Sequence, residues 1–448
     1  MALDPARLAG LRATVVGAAR EGTALVRYLV PHGVRVTLAD GKPAAALGSA
    51  LAAIAGLDVR LALGETPPDL LEADLLFASP GVPPTAAVIH EARARGLPIS
   101  SEPRLFTQLC AAPVVGITGS SGKTTTTSLV GRMLAADGRE AWVGGNIGQP
   151  LLERLVNGGA VPDVAVMELS SFQLEFCDPA YQGPQVEARR TAASRVVSVA
   201  GWSPHVAAIT NITPNHLDRH PSMEDYARAK EQILAHQGAA DWAVLNADDP
   251  RTRALLARAA GRRLAFSLAE AVDEGAFLRE ETLILRLDGH EHALCRADDI
   301  PLRGRHNVAN VLAAACCGLA SGASVEAMRA AVLEFHGVAH RLEVVRRVGG
   351  VTYVNDSIAT SPERAMAALR AFHEPLILLA GGRDKHLPWA EWADLALARA
   401  VRVVAFGEAV PIIGAALAEA RARHGRAAED GPAFDAVDGL DQAVALAA

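Results

Sequence analysis

Cysteine is scarce in this sequence, and its spacing excludes two kinds of stabilising chemistry. The 448 residues include five cysteines, an odd number, with no C-x-x-C pair and no paired Cys/His spacing. A disulfide framework and a structural zinc site both need such pairing. We therefore expect a protein of the reducing cytoplasm.

Long apolar runs and an excess of positive charge are also lacking. No stretch reaches the roughly 18 uninterrupted apolar residues of a membrane-spanning helix. The opening MALDPARLAGLRATVVG lacks the charged and apolar regions of a signal peptide. The formal net charge is −7 at pH 7, whereas binders of nucleic acid or anionic membranes want a basic surface. We expect neither kind of partner, and the charge balance is ordinary for a soluble enzyme.

Apolar segments that alternate between strand and helix patterns are abundant. Near the N-terminus, ATVVG, VRVTLAD, LLFASPG and LPISS are typical of strands, and GTALVRYLVPHG is typical of a helix. This alternation predicts βαβ units around a parallel sheet. The length suggests about three domains, at roughly 100–200 residues per domain. We predict an α/β fold with Rossmann-like first and last domains and a central P-loop-type domain: residues 1–112, 113–336 and 337–448.

The turn after the first strand is rich in glycine but departs from the dinucleotide-binding pattern. Residues 17–22 read GAAREG, without the G-x-G-x-x-G spacing. Asp40 nevertheless closes the second strand, where dinucleotide folds place a ribose-binding acid. Two interpretations stay open: Gly17 and Asp40 bind a nucleotide, or they are an ordinary turn glycine and a strand-end cap.

Residues 117–127, ITGSSGKTTTT, give the strongest local signal. A β-branched strand precedes them and a helical segment follows, so the loop leads into a helix N-terminus, which suits an anion. The glycines let the backbone approach phosphate, the lysine pairs with the β- and γ-phosphates, and the first threonine can ligate Mg²⁺. Ile117 stands where the usual spacing has glycine, so the loop is a variant. The predicted nucleotide-binding residues are Gly119, Ser120, Ser121, Gly122, Lys123, Thr124 and Thr125.

Two further strands of the middle domain end in polar residues. The strand in VAVMELSSFQ ends at Glu168, and the strand in HVAAITNITPNHLDRH is followed by polar residues that include His216. Ligands of open α/β sheets bind at the carboxyl ends of the strands, so these groups should converge with Lys123 and Thr124. A lone histidine or glutamate is more often structural. Their joint position favours a site for Mg²⁺ or Mn²⁺ beside a triphosphate.

Several later residues have an ordinary interpretation beside a functional one. Lys230 falls in a helix that Ser222 caps, where an exposed lysine is the default. Asn307 and Asn310 begin an apolar helix, and one of them is a candidate cap. Arg341, near a domain boundary, could reach a terminal phosphate when the domains close.

The third domain repeats the pattern of polar groups at strand ends. VNDSIATSP ends a strand with Asp356, and LLAGGRDKHLPW ends another with Asp384 and Lys385. An aspartate there could orient a nucleotide or an amine, and Lys385 could bind a carboxylate. The alternative is turn chemistry by Gly, Asn and Asp.

The ordered motifs together resemble the Mur ligases. TGSSGKTTT, GGNIG, ELSSFQLE, TNITPNHLDRH, ARAKEQI, GRHNVAN, HRLE, NDSIAT and GGRDK occur along essentially the whole chain in the order found in that family. The resemblance is to the branch that joins D-glutamate to UDP-N-acetylmuramoyl-L-alanine. It implies a UDP-sugar domain, a central ATPase and a mobile C-terminal domain in a monomeric cytoplasmic enzyme of peptidoglycan synthesis.

The resemblance also implies residue roles. UDP and the sugar-peptide would be bound by Gly17, Asp40, Ser79, Gly81, Asn146 and Ser170. The catalytic group would be Lys123, Glu168, His216 and Lys230, with two Mg²⁺ ions held by Thr124, Glu168, His216 and a carbamylated Lys230. ATP would be surrounded by Asn307, Asn310, Arg341 and Asp356, and the amino acid would be met by Thr360 and Lys385.

The implied reaction is carboxylate activation by ATP, followed by attack of the glutamate amine on an acyl phosphate. A sister ligase for L-glutamate, folylpolyglutamate synthase and a nucleotide-binding module without turnover are the alternatives; the Rossmann-like first domain argues against folate. Two departures stand out. Ile358 replaces a frequent lysine. The family usually continues past the position of Ala448 with a loop that helps hold glutamate, so the resemblance implies either that the C-terminal domain lacks its last segment or that the amino-acid pocket is built differently.

Overall fold

The computed structural model describes residues 2–156, 161–182, 197–198, 200–217, 219–338, 340–382, 387–427 and 430–448. The chain forms two compact units. The first comprises Met1–Asp299 and Ala309–Leu333, and the second comprises Ile300–Val308 and Glu334–Ala448. Within the described residues, no helix combines the length and apolarity needed to cross a membrane.

The first unit opens with the predicted parallel sheet. Its five strands, in the order β3-β2-β1-β4-β5, all pair in parallel. Apolar residues of the central strands pack on the buried face of the first helix, as Val15, Phe77 and Leu25 illustrate. The elements are β1 Arg12–Val16, α1 Arg20–Leu29, β2 Arg35–Asp40, α2 Gly48–Ala53, β3 Val59–Leu63, β4 Leu75–Ala78, α3 Ala87–Ala94, β5 Ile99–Ser100 and α4 Glu102–Leu109.

A nine-stranded sheet forms the rest of the first unit. Its order is β14-β13-β12-β11-β10-β9-β6-β8-β7, parallel from β7 to β12 and antiparallel through β13 and β14. The strands are β6 Val114–Thr118, β7 Ala141–Gly145, β8 Val164–Glu168, β9 Val206–Ile209, β10 Trp242–Asn246, β11 Arg262–Ser267, β12 Gly275–Arg279, β13 Thr282–Leu287 and β14 His290–Arg296. The helices are α5 Lys123–Ala136, α6 Leu152–Leu155, α7 Ser171–Leu174, α8 Met223–Glu231, α9 Pro250–Leu256, α10 Arg305–Ala320 and α11 Val325–Leu333. The residues of α10 up to Val308 belong to the second unit.

The position of β6 sets the place of the site. This strand lies between β8 and β9, with Ile117 opposite Glu168 and Val115 opposite Val206. The chain leaves β6 first toward β7 and β8 and later toward β9, so the strand order reverses there. A crevice forms outside the strand ends at such a switch point, which is where α/β proteins bind ligands.

The second unit contains a hairpin and a three-stranded parallel sheet. The hairpin turns at Gly349 and Gly350, both with positive φ, and a separate core includes Trp392, Val403 and Leu417. The elements are β15 Glu343–Val348, β16 Val351–Asn355, α12 Pro362–Arg370, β17 Leu376–Gly381, α13 Ala390–Arg399, β18 Ala400–Phe406, α14 Val410–Arg423, β19 Ala433–Val437 and α15 Leu440–Ala447. The α/β class is confirmed, while β15 and the antiparallel extension of the large sheet were not predicted.

Candidate functional site

The glycine-rich loop joins β6 to α5, as predicted. Gly119 and Gly122 have φ values of 149° and 82°, a region that side chains disfavour. A Cβ at Gly119 would collide with the Thr210 hydroxyl, and one at Gly122 would collide with the side-chain oxygen of Asn310. Only glycine therefore permits this close wrapping at the N-terminus of α5.

Neighbouring residues hold the loop in shape. The Lys123 ammonium donates to the Gly119 carbonyl at 2.7 Å and lies 3.3 Å from that of Ser120. The backbone N–H of Ser121 donates to the Asn211 side chain at 3.0 Å, and Ser120 Oγ lies 3.1 Å from the Tyr226 hydroxyl. Thr125, in the first turn of α5, is buried. The lysine is thereby positioned over the loop.

Glu168 ends β8 beside this loop and is almost fully buried, with 2% of its surface exposed. One carboxylate oxygen accepts a hydrogen bond from the Thr124 hydroxyl at 2.8 Å, and the other accepts from the Asn146 amide at 2.7 Å. Asn146 itself is exposed. The structure therefore brings three of the predicted site residues into direct contact.

The donor chemistry of Thr124 and Glu168 fits Mg²⁺, which prefers oxygen ligands. Across the described ranges, no group of three His, Cys, Asp or Glu side chains is arranged to hold a metal. Protein oxygens from one carboxylate and one hydroxyl suffice for Mg²⁺ at a phosphate site, because the ion keeps waters and binds substrate phosphates. The residues present thus fit a metal that is shared with a nucleotide.

His216 lies in the loop after β9 and is exposed, with a φ of 53°. Its ring makes an edge contact with Phe172 at 5.1 Å between centroids. Phe172 belongs to α7, which begins three residues after Glu168. The imidazole is therefore on the same side of the sheet as the carboxylate, while Asp218 lies outside the described residues.

Lys230 is buried, with 1% exposed, so the default interpretation of an exposed lysine was wrong. Its ammonium donates to the Gly119 carbonyl at 2.8 Å and lies 4.7 Å above the Tyr226 ring. The Ser222 cap of α8 is present, because Ser222 Oγ accepts from the Asp225 N–H. Burial depended on packing against the phosphate-binding loop, which helical periodicity alone does not reveal.

The predicted sugar-nucleotide residues lie at the strand ends of the first sheet. Gly17 has a φ of 99°, and a Cβ there would lie 2.8 Å from Ser79 Oγ. The Ser79 hydroxyl donates to the Gly17 carbonyl at 3.1 Å. Asp40 accepts from the Ala18 N–H at 2.8 Å, so it caps the turn, and Gly81 is exposed nearby in sequence. The capping role of Asp40 is thus present, and a ribose-binding role stays a prediction.

Ser170 caps α7 and links the two sheets. Its backbone N–H donates to Gln173 Oε1 at 3.0 Å, and Gln173 Nε2 donates to Glu21 at 2.7 Å. Burial raises the pKa of Glu21 to about 7 and that of Glu102 to about 8, with repulsion from Glu21 adding to the latter. This carboxyl pair was missed from the sequence, because its residues are 81 positions apart.

His220 and Arg219, which the sequence did not indicate as site residues, connect α7 to the loop of His216. Buried His220 lies 2.9 Å from Ser171 Oγ and 3.6 Å from the Glu175 carboxylate. Burial lowers the pKa of His220 to about 4, so the ring is neutral. Arg219 donates to Glu175 at 3.1 Å. The available signal was the HLDRH motif, whose last two residues had no assigned role.

The second unit contains the remaining predicted residues that the structure describes. Asp356 accepts from the Leu342 N–H at 3.1 Å; burial raises its pKa, while this N–H and the Arg341 charge lower it. Thr360 closes the turn after Asp356, with its N–H donating to the Ile358 carbonyl. Lys385, like Asp384, lies outside the described residues.

The two asparagines of α10 fall in different units. Asn310 belongs to the first, where its side chain faces Gly122. Asn307 belongs to the second, where its amide donates to the Arg303 carbonyl at 2.8 Å. Asn310 is therefore the one that the structure brings to the phosphate-binding loop.

Three family models match consecutive parts of the chain. They are described as the Mur ligase MurD-like N-terminal domain for residues 11–101, the Mur ligase middle domain for residues 117–318, and the Mur ligase glutamate ligase domain for residues 340–448. The matches follow the predicted order of domains, and the boundaries at residues 112 and 336 stay predictions.

Curated relatives and solved structures agree with these matches. A UDP-N-acetylmuramoylalanine–D-glutamate ligase of Symbiobacterium thermophilum is 44% identical, covering 97% of this chain and 90% of the relative. One of the same name from Pelotomaculum thermopropionicum is 38% identical, covering 90% and 84%. The UDP-N-acetylmuramate-alanine ligase MurC of Thermotoga maritima is 18% identical, with a TM-score of 0.56 and 96% of each chain covered, which shows the fold. The chain belongs to the Mur ligase family.

Proposed function

We propose that this protein is an ATP-dependent ligase that joins D-glutamate to UDP-N-acetylmuramoyl-L-alanine in peptidoglycan precursor synthesis. One observation supports the ATP half most directly: at the glycine-wrapped N-terminus of α5, the Thr124 hydroxyl donates to the Glu168 carboxylate. This arrangement suits a phosphate and its metal ion. The choice of substrates follows the names of relatives that match nearly the whole chain.

In the proposed reaction, the L-alanyl carboxylate attacks the γ-phosphorus of ATP, and the bond to ADP breaks. The amine of D-glutamate then attacks the acyl phosphate carbonyl, phosphate leaves with the electron pair, and the amine loses a proton. Lys123 and the N–H groups of the loop offset the repulsion between carboxylate and triphosphate. Mg²⁺, when bound by Thr124 and Glu168, supplies further neutralisation of the phosphate charge.

We further propose that Lys230 is carbamylated in the active enzyme. A buried ammonium is costly to desolvate, and Lys230 is buried beside the phosphate-binding loop. Reaction with CO₂ would replace the cation with an anionic oxygen group, which suits a metal. His216 would be a further group at this centre. Intact-protein mass spectrometry would detect the added CO₂.

We also propose which residues elsewhere in the chain bind the substrates. Gly17, Ser79 and Gly81 would bind the UDP end, and Asn146 and Ser170 would contact the sugar-peptide. In the second unit, Asn307, Arg341 and Asp356 would contact ATP, and Thr360 and Lys385 would meet the amino acid. We place the enzyme in the cytoplasm as a monomer; the free cysteine thiols are consistent with a reducing compartment.

Phosphate release tests the proposal. The assay would contain Mg-ATP and UDP-N-acetylmuramoyl-L-alanine with D-glutamate, with L-glutamate, or with no amino acid. We expect release that depends on D-glutamate, and a Glu168→Gln control that abolishes it. A preference for L-glutamate would assign the sister activity, and no stimulation by either isomer would contradict a ligase and leave a nucleotide-binding module.

A further inference from the structure

Arg219 lies in the loop of His216, yet its contacts extend to two other parts of the first unit. Its guanidinium donates to the Glu175 carboxylate at 3.1 Å and approaches the Val82 carbonyl at 3.4 Å. The same group lies 5.0 Å above the ring of Phe172. Only 16% of the side chain is exposed. A nearly buried arginine with a paired charge is strongly constrained in position.

These contacts join the two halves of the candidate site. Val82 follows Ser79 and Gly81 in the loop that ends β4, the predicted sugar-nucleotide loop. Its N–H donates to the Ser79 carbonyl at 2.9 Å, so the loop is a compact turn. Phe172 lies in α7, the helix that follows Glu168, and Glu175 comes directly after it. Arg219 therefore touches the UDP side and the metal side with one planar group.

The geometry of the guanidinium explains why an arginine stands here. One terminal nitrogen, Nη2, approaches both the carboxylate and the carbonyl while the face of the planar group covers an aromatic ring, and a planar group of this kind is pre-organised for such a set of contacts. The other oxygen of Glu175 faces His220 at 3.6 Å, so the carboxylate lies between two residues of the same loop. A displacement of the loop at Val82 would consequently be felt by the loop of His216.

We propose that Arg219 is a positioning residue that couples occupancy of the sugar-nucleotide loop to the nucleotide and metal centre. The inference rests on the proposed function for the identity of its two ligands. Binding of the UDP-sugar at the loop of Ser79 fixes Val82, and through Arg219 it fixes α7 and the His216 loop. Such coupling is reciprocal, so each ligand tightens the binding of the other by the same factor.

Calorimetric titration tests the coupling without turnover. The dissociation constant of the protein for the Mg²⁺ complex of β,γ-imido-ATP would be measured with and without saturating UDP-N-acetylmuramoyl-L-alanine. We expect at least about fivefold tighter binding with the sugar nucleotide in the unchanged protein, a typical size for coupled sites. In Arg219→Met and Arg219→Lys the factor should fall to near one, and Glu175→Gln should reduce it.

Arg93→Met is the matched control. Arg93 also contacts both the loop after β4 and the segment after α7. Its guanidinium donates to the Tyr181 carbonyl at 2.6 Å, approaches the Pro84 carbonyl at 3.5 Å and lies over the Tyr181 ring. It does not lie in the loop of His216, so coupling should persist in this variant. Equal loss in Arg93→Met would indicate general loosening and overturn the inference.

Two other outcomes would overturn the inference: full coupling in both Arg219 variants, or no coupling in the protein without substitutions. Should Arg219→Met fail to fold, Arg219→Lys and Glu175→Gln decide the question alone. Because no amino acid is added, the result is independent of the D-glutamate assay. A protein that binds both ligands without ligation would refute the proposed function and leave the coupling measurable.

Discussion

The buried pair of Glu21 and Glu102 predicts an inverted response to mutation: removing a carboxylate should stabilise the protein at high pH. Glu102 is 1% exposed and accepts a hydrogen bond from the Leu152 N–H at 2.8 Å. One oxygen of Glu21 is buried without a hydrogen-bond partner among the described residues. Neither carboxyl thus has a cation bonded to it that would compensate for burial.

The sign follows from proton linkage. Burial raises the pKa of Glu102 from 4.5 to about 8 in the folded protein, so the folded state binds more protons than the unfolded state between these values. Stability therefore falls as pH rises through that window and levels off above it. A rise of this size corresponds to about 5 kcal/mol at about 1.4 kcal/mol per unit. Desolvation of Glu102 is the larger cause of this rise and repulsion from Glu21 the smaller. Glu102→Gln removes both, so we expect it to recover on the order of a few kcal/mol at high pH.

Glu102→Gln preserves size and an oxygen that can accept from the Leu152 N–H. Its free energy of unfolding, from urea titrations at pH 5, 7 and 9, should exceed that of the unchanged protein by about 2–3 kcal/mol at pH 9 and by little at pH 5. Glu224→Gln serves as control, because Glu224 forms an exposed ion pair with Arg251 at 3.2 Å, worth about 0–1 kcal/mol. Equal shifts of Glu102→Gln at every pH, or a loss at pH 9, would refute the reasoning.

Three further changes probe the site. Gly122→Ala places a Cβ against Asn310 in a left-handed backbone; we expect a loss of about 2–4 kcal/mol in a denaturant titration and weaker ATP binding by calorimetry. Lys230→Met removes the buried cation at the loop; phosphate release should fall at least about a hundredfold, and an active variant would exclude a role in chemistry. Gly17→Ala crowds Ser79; the KM for the sugar nucleotide should rise at least about tenfold with that for ATP unchanged, and the reverse pattern would contradict the assignment.

The parts of the site that could be predicted are those set by residues adjacent in the sequence. The loop from Gly119 to Thr124 is specified by adjacent residues, so its strand, turn and helix could be predicted together. Glu168 could be placed because parallel strands bring their carboxyl ends to one edge. For the fold, alternation of apolar segments was sufficient to predict the parallel sheets.

What could not be predicted depends on contacts between distant residues. The burial of Lys230 arises from packing against Gly119, 111 positions away. The bond from Gln173 to Glu21 spans 152 positions, and neither side chain has a local pattern that marks it. The antiparallel pairing of β13 with β14 is different, because it had a local signal that went unused: Asp288 and Gly289, both with positive φ, form the kind of turn that is typical of hairpins. Periodicity reports the burial of a face, whereas direction and partner are properties of the assembled chain.

The central place of β6 has a consequence for how the protein is made. During synthesis, residues 114–118 leave the ribosome well before their partners at 164–168 and 206–209. The strand that precedes the phosphate-binding loop must therefore wait, with its edges unpaired, for about 90 residues, which takes roughly 5–20 s at typical rates of bacterial synthesis. Exposed strand edges of this kind are prone to aggregation and are bound by chaperones. Nascent chains arrested before residue 206 should thus be protease-sensitive at the loop, and ATP binding should first arise in longer chains.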